Sequence, residues 1–120
     1  MIGIGVDIVS IARVERVFNK FGERFAQKIL APGECQGISL DARMLAKRFA
    51  SKEAIAKALG TGFRLGVTMS SIQIEKTALN QPQVVLSGAA KARLESIGGT
   101  EVLLSISDEV DSVVAFAVVR

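Results

Sequence analysis

The sequence predicts an α+β fold, a small and mainly antiparallel sheet packed with two to three helices. Three observations predict it. Long segments near residues 11–29 and 42–59 repeat apolar residues at helical spacing. Four or five short runs rich in Val and Ile sit between turn residues, as strands do. The last two runs are separated only by the tight turn "DEVD", which makes that part of the sheet antiparallel.

The elements follow in order. "IGIGV" is short, apolar and bounded by Asp7, so it reads as a strand. Ser10 is placed to cap a helix on which Ile11, Val14, Phe18 and Phe21 share one side and Arg13, Arg16 and Lys20 another. Gly22 interrupts, and a second turn or helix carries Phe25 and Ile29 until Pro32 and Gly33 break the pattern. Asp41 caps the next helix, roughly 42 to 59, and Gly60 and Gly62 stop it. "SSIQIEK" alternates as a half-buried strand, "LNQPQ" turns, and "VVLS" returns. "GAAKARLESIGG" is a short helix ended by Gly98 and Gly99. "EVLLSIS" and "SVVAFAVV" are the final strands. From Val113 to Val119 the last strand is apolar at every position, where a strand with one wet face alternates. Its two faces need cover from the chain's own helices or from another subunit, and the scarcity of elements favours a subunit interface.

Composition narrows the function. A chain of 120 residues is expected to form one domain over 1–120. No apolar run approaches the ~20 residues of a membrane helix. The N-terminus lacks the basic flank and cleavage site of a signal peptide, so the expected location is the cytoplasm. Cys35 is the sole cysteine, which excludes an intrachain disulfide, and it reads as an ordinary reduced thiol. There is no histidine. Ser-His-Asp triads, His-ligated zinc and imidazole acid–base chemistry are thereby excluded within one chain. Catalysis must use carboxylates, Lys, Arg, hydroxyls, amides or a metal held by oxygen, which points to Mg²⁺, Mn²⁺ or Ca²⁺. The net charge of +3 suits an acidic partner or a phosphate-rich ligand. With no Trp or Tyr among the basic residues, nothing points to nucleic acid.

The stretch "KRFASKEAIAKALGTG" carries the chemistry. Ala46, Ala50, Ala54 and Ala58 fall every fourth residue and let another element approach closely. The neighbouring row is Leu45, Phe49, Glu53, Lys57: two core residues, then two charges. On a solvated face such a pair contributes only ~0.2–0.5 kcal/mol. Here it continues an apolar row and precedes a glycine-rich loop, while Arg43, Lys47 and Lys52 are read as the helix's exposed charges. Asp7 is the other carboxylate in an unusual place, where local sequence alone makes it a cap or turn residue. If strand and helix pack together, Asp7 and Glu53 reach one Mg²⁺, Lys57 reaches a phosphate oxygen, and Gly60 and Gly62 offer amides to a phosphate.

"GIGVDIVSIAR", "KRFASKEAIAKALGTG", "NQPQVVLSG" and "LSISDE", in this order and at these distances, resemble the holo-acyl-carrier-protein synthase family, the small 4′-phosphopantetheinyl transferases. The likeness spans the chain and implies the fold of those transferases. It implies transfer of 4′-phosphopantetheine from coenzyme A to a serine of apo-acyl carrier protein, in support of fatty acid biosynthesis. It implies Mg²⁺ on Asp7 and Glu53, Lys57 near the pyrophosphate, and Arg13 and Arg24 meeting the acidic carrier protein. It also implies a homotrimer with active sites between subunits. Some positions depart: Asp108-Glu109 stands where some relatives have His-Asp, and the region 34 to 42 is shorter than in some relatives. Leu103 stands where many relatives have histidine, and Val9 where larger relatives have a third acidic ligand, so two protein ligands are expected. The proton of the attacking serine then has water at the metal, Glu53, or an acid of the 108–109 turn as acceptor. Competing readings are a non-catalytic module docking acidic helices, a structural subunit, and another Mg²⁺-dependent phosphoryl transferase. The last is opposed by the absence of a P-loop sequence.

Overall fold

The computed structural model describes residues 2–34 and 39–120. The reading of Cys35 lies outside the described residues. Strand β1 (Gly3–Ser10) runs into helix α1 (Ile11–Phe21), followed by α2 (Glu23–Ile29) and a 3₁₀ turn at Pro32–Glu34. The long helix α3 (Ala42–Ala58) comes next, then a 3₁₀ turn at Met69–Ser71. The chain ends with β2 (Ile72–Lys76), β3 (Pro82–Leu86), α4 (Gly88–Ser96), β4 (Val102–Asp108) and β5 (Ser112–Val119). Four α-helices are present among the described residues, rather than two to three, because both short segments after glycine punctuation are helical.

The strands are antiparallel, as expected, but they form two sheets. β5 lies at the centre of a three-stranded sheet in the order β1-β5-β4, and β2 with β3 makes a separate hairpin. Register is continuous from Gly3 opposite Val119 to Ser10 opposite Ser112, and from Val102 opposite Val119 to Asp108 opposite Val113.

The caps agree with the sequence. Ser10 Oγ accepts from the Arg13 backbone N–H at 3.2 Å, and Asp41 Oδ1 accepts from Met44 N–H at 2.8 Å. α3 lies across one face of the three-stranded sheet. Its row of Ala46, Ala50, Ala54 and Ala58 is buried, and it meets the inward residues Val113, Ala115, Ala117 and Val119 of β5. The approach to β1 is closer still. A Cβ on Gly3 would stand 2.0 Å from the Ala58 carbonyl oxygen, and one on Gly5 the same distance from that of Ala54. Glycine is required at both positions for want of space, the backbone of the strand resting directly on the helix.

The last strand is covered on one face only. Val113, Ala115, Ala117 and Val119 are buried under α3, while Val114 and Phe116 point to the bare face. Ile4, Val6 and Ile8 of β1 stand beside them in register with Val118, Phe116 and Val114. The sequence showed no alternation because both faces carry apolar side chains, and only packing separates them.

Gly5→Ala is expected to lower stability by about 3 kcal/mol, since a methyl group there has no rotamer to escape into. Urea unfolding of the two proteins checks it, and an unchanged midpoint would contradict the packing.

Candidate active site

Alternation along β1 turns Gly3, Gly5, Asp7 and Val9 towards α3, and Ile4, Val6 and Ile8 away from it. Asp7 therefore emerges at the edge of the β1–α3 contact, its side chain 18% exposed. Lys57, in the last turn of α3, crosses to the strand. Its Nζ donates to the Val6 carbonyl oxygen at 3.0 Å and lies 3.2 Å from Asp7 Oδ1. Glu53 precedes Lys57 by one turn on the same side of the helix. It lines, with Asp7, Arg13 and Phe49, an open pocket of about 300 Å³. The strand–helix juxtaposition that the sequence made conditional is thus present.

The electrostatics of the pocket favour a cation. Burial raises the Glu53 carboxyl above its ordinary value of 4.5, the charge of Asp7 raises it further, and Lys57 pulls it back. A carboxylate whose ionisation is opposed in this way is relieved by a positive ion beside it. Among the described residues no cluster of three or more His, Cys, Asp or Glu side chains could hold a metal. Val9, where a third acid would stand, is a core residue. An all-oxygen pair fits Mg²⁺, which ordinarily takes one or two carboxylates and leaves its other positions to water and phosphate.

A model of the 4′-phosphopantetheinyl transferase superfamily matches residues 3–115. The chain belongs to that superfamily. It is 46% identical over 119 residues to a holo-[acyl-carrier-protein] synthase of Halorhodospira halophila, covering 97% of this chain and 94% of that one. It is 47% identical over 119 residues to one from Neisseria meningitidis serogroup A, covering 97% and 95%. The crystal structure of a holo-[acyl-carrier-protein] synthase from N. meningitidis superposes with a TM-score of 0.92 at 46% identity, over 100% of this chain and 99% of that one. A Helicobacter pylori synthase solved in complex with coenzyme A superposes with a TM-score of 0.84 at 33% identity, over 98% and 99%. The chain is therefore an enzyme, a phosphopantetheinyl transferase.

The other expected site residues of this transferase are placed unequally. Arg13 stands at the rim of the Asp7–Glu53 pocket. Arg24 lines a different, mostly apolar pocket of about 190 Å³ with Val17, Phe21, Phe25 and Lys28. Gly60 and Gly62 have φ of +81° and +59°, and their N–H groups donate to the Lys57 and Ala56 carbonyl oxygens at 3.0 and 3.1 Å. Those amides are engaged in closing the end of α3. Asp108 is held by Arg43 Nη1 at 2.6 Å, with Lys47 at 3.6 Å. The Arg43 hydrogen bond keeps the Asp108 carboxyl below the usual carboxylate value, so it is a poor proton acceptor. Arg43 also binds the Glu109 and Val110 carbonyl oxygens at 2.9 and 3.0 Å, clipping the β4–β5 turn to α3. Leu103 pairs with Val118 on the bare face of the sheet, opposite to the face Asp7 occupies.

Two features were missed in the sequence. Lys52, read as an exposed charge, is fully buried. Its Nζ donates to the Ile29 and Met69 carbonyl oxygens and to Glu34 Oε1, at 2.6, 3.0 and 2.5 Å. Nothing in the local pattern marks it, because its partners come from distant segments. The second is a cleft of about 340 Å³ between α3 and the β2–β3 hairpin, basic on balance, with Arg43, Lys47 and Arg48 on one wall, Lys76, Asn80 and Pro82 on the other, and Asp41 and Asp108 also lining it.

In the metal-free protein the Glu53 carboxyl is expected to titrate above 4.5, lower in Asp7→Asn and higher in Lys57→Met, by NMR. A raised carboxylate value in the folded state means that ionised Glu53 opposes folding above pH 4.5. Glu53→Gln should accordingly gain stability at pH 7, a gain that disappears below pH 4.5.

Proposed function

We propose that this transferase moves 4′-phosphopantetheine from coenzyme A to a serine of apo-acyl carrier protein, releasing adenosine 3′,5′-bisphosphate, with Mg²⁺ held by Asp7 and Glu53. The product supports fatty acid biosynthesis in the cytoplasm, and residues 1–120 act as a single domain. The observation that carries the reading is the Asp7–Glu53–Lys57 group at the β1–α3 contact. The names of the relatives and the coenzyme A complex of one of them support the substrates. No helix among the described residues is long and apolar enough to cross a membrane.

The serine Oγ attacks the β-phosphorus of coenzyme A in line, and the bond from that phosphorus to the oxygen of the leaving bisphosphate breaks. The metal, when bound, polarises the phosphorus and stabilises charge on the leaving group. Asp7 and Glu53 would hold that metal at the edge of the β1–α3 contact. Lys57 has half its side chain exposed and turns its ammonium from Asp7 towards a phosphate oxygen. Gly60 and Gly62 serve coenzyme A indirectly, by ending α3 just behind Lys57. The serine proton passes to water or to Glu53. Arg13, beside the pocket, and Arg24, on α2, dock the acidic carrier protein.

The bare sheet face supports the homotrimer. Ile4, Val6, Ile8, Val114, Phe116 and Leu103 form one exposed apolar surface of a kind that monomers seldom leave open. The homotrimer reading places active sites between subunits, and the cationic side chains of the cleft suit phosphate. The cleft takes the phosphate-bearing nucleotide end.

The decisive measurement is the mass of apo-carrier protein after incubation with the protein, coenzyme A and Mg²⁺, which should rise by one phosphopantetheine. Asp7→Asn and Glu53→Gln should each slow transfer about 100-fold at limiting Mg²⁺. In the same assay Arg13→Ala should raise the carrier-protein KM and weaken its salt dependence. Normal rates in either carboxylate variant would remove the metal assignment, and carrier binding without transfer would favour a docking module. Separately, Phe116→Asp should reduce the assembly to monomers in light scattering, whereas an intact trimer would place the interface elsewhere.

A further inference from the structure

The buried Glu34–Lys52 pair is joined to the basic cleft through shared residues and shared walls. Lys52 lies in the middle of α3 and reaches the end of α2 at Ile29, the 3₁₀ turn at Glu34, and the turn before β2 at Met69. Glu34 is nearly as buried. Its Oε1 also accepts from Ala31 N–H at 2.7 Å, and its Oε2 accepts from Ile74 N–H, on β2, at 3.3 Å. Arg48 Nε lies 3.1 Å from Glu34 Oε2. Arg48 is itself part of the α3 wall of the cleft, and the β2–β3 hairpin is the other wall. The hairpin is not part of the three-stranded sheet, so no strand ladder ties it to the rest of the fold. Glu34 instead binds the hairpin backbone with one oxygen and the α3 ammonium with the other, with Arg48 alongside.

A buried ion pair gives little net stability, and well-packed apolar residues of similar volume often do as well or better. Its distinctive property is geometric: each charge tolerates only a narrow range of partner positions. Here the pair joins α3, the 3₁₀ turn and the hairpin backbone at Ile74, and Arg48 Nε lies beside Glu34 as an ion pair without a hydrogen bond. Resting on the coenzyme A reading given above, we propose that Glu34 and Lys52 are a positioning pair that sets the cleft for the phosphate-bearing end of coenzyme A.

The probe is adenosine 3′,5′-bisphosphate, titrated calorimetrically into the whole protein, alongside steady-state transfer. Two variants are used. Glu34→Asp keeps the charge but shortens the reach by one methylene, so its carboxylate no longer spans Lys52, Arg48 and Ile74 together. Glu34→Gln with Lys52→Met removes both charges. At a temperature well below unfolding, either variant should weaken bisphosphate binding and raise the KM for coenzyme A about tenfold, leaving the carrier-protein KM unchanged. Arg13→Ala should show the opposite split. A folded variant with the parent's bisphosphate affinity would overturn the proposal. So would the loss of cooperative folding in both variants, which would make the pair a purely structural one. Failure of the parent protein itself to bind the bisphosphate and to transfer would instead remove the coenzyme A reading.

Discussion

The contact on which the rest of the structure depends is the direct seating of the β1 backbone on α3. Gly3 and Gly5 leave no Cβ between the strand and the carbonyl oxygens of Ala58 and Ala54. The alanine row of α3 does the same from the other side, and Ala115 and Ala117 of β5 extend the flat surface to the neighbouring strand. Close approach brings Lys57, at the end of the helix, within reach of the Val6 carbonyl and the Asp7 carboxylate two residues past Gly5. Larger side chains at the glycines would lift the strand and part the charges. The site is therefore a consequence of small residues that carry no chemistry themselves.

Charges inside the molecule serve two different ends. Glu53 sits where burial and a second carboxylate oppose its ionisation, an arrangement that works against the empty protein and in favour of a bound cation. Glu34 and Lys52 are buried more deeply, yet they meet each other and a full set of backbone partners. The first group is left with electrostatic demand that a ligand can meet. The second is satisfied within the fold, and its demand is spent on holding the hairpin beside α3.

The sheet has a similar division. Its inner face is filled by α3, and its outer face presents Ile and Val of β1 next to Phe116. Leu103 belongs to that outer face and Asp7 to the inner one. A side chain at position 103 therefore faces away from Asp7, and it lines instead a pocket shared with the β2–β3 hairpin.

The sequence by itself determined the element order, the caps at Ser10 and Asp41, the close-packing alanine row, and the Glu53–Lys57 pair that belonged with Asp7. These are local signals, because spacing along a helix or strand fixes which residues share a face. The absence of histidine restricted the chemistry before any fold was known, and the motifs in their order carried the resemblance to the transferases. Only the tertiary structure decided which face of β5 was covered, since both faces have the same apolar composition. It alone separated the β2–β3 hairpin from the main sheet. It alone turned the amides of Gly60 and Gly62 back onto α3, and it alone made Lys52 a buried ion. The Gly60 and Gly62 amides meet carbonyls at their own helix end, but Lys52 depends on Glu34 and Asp108 on Arg43, partners far away in the chain. Local periodicity contains no record of such partners; they are set by the packing of whole elements.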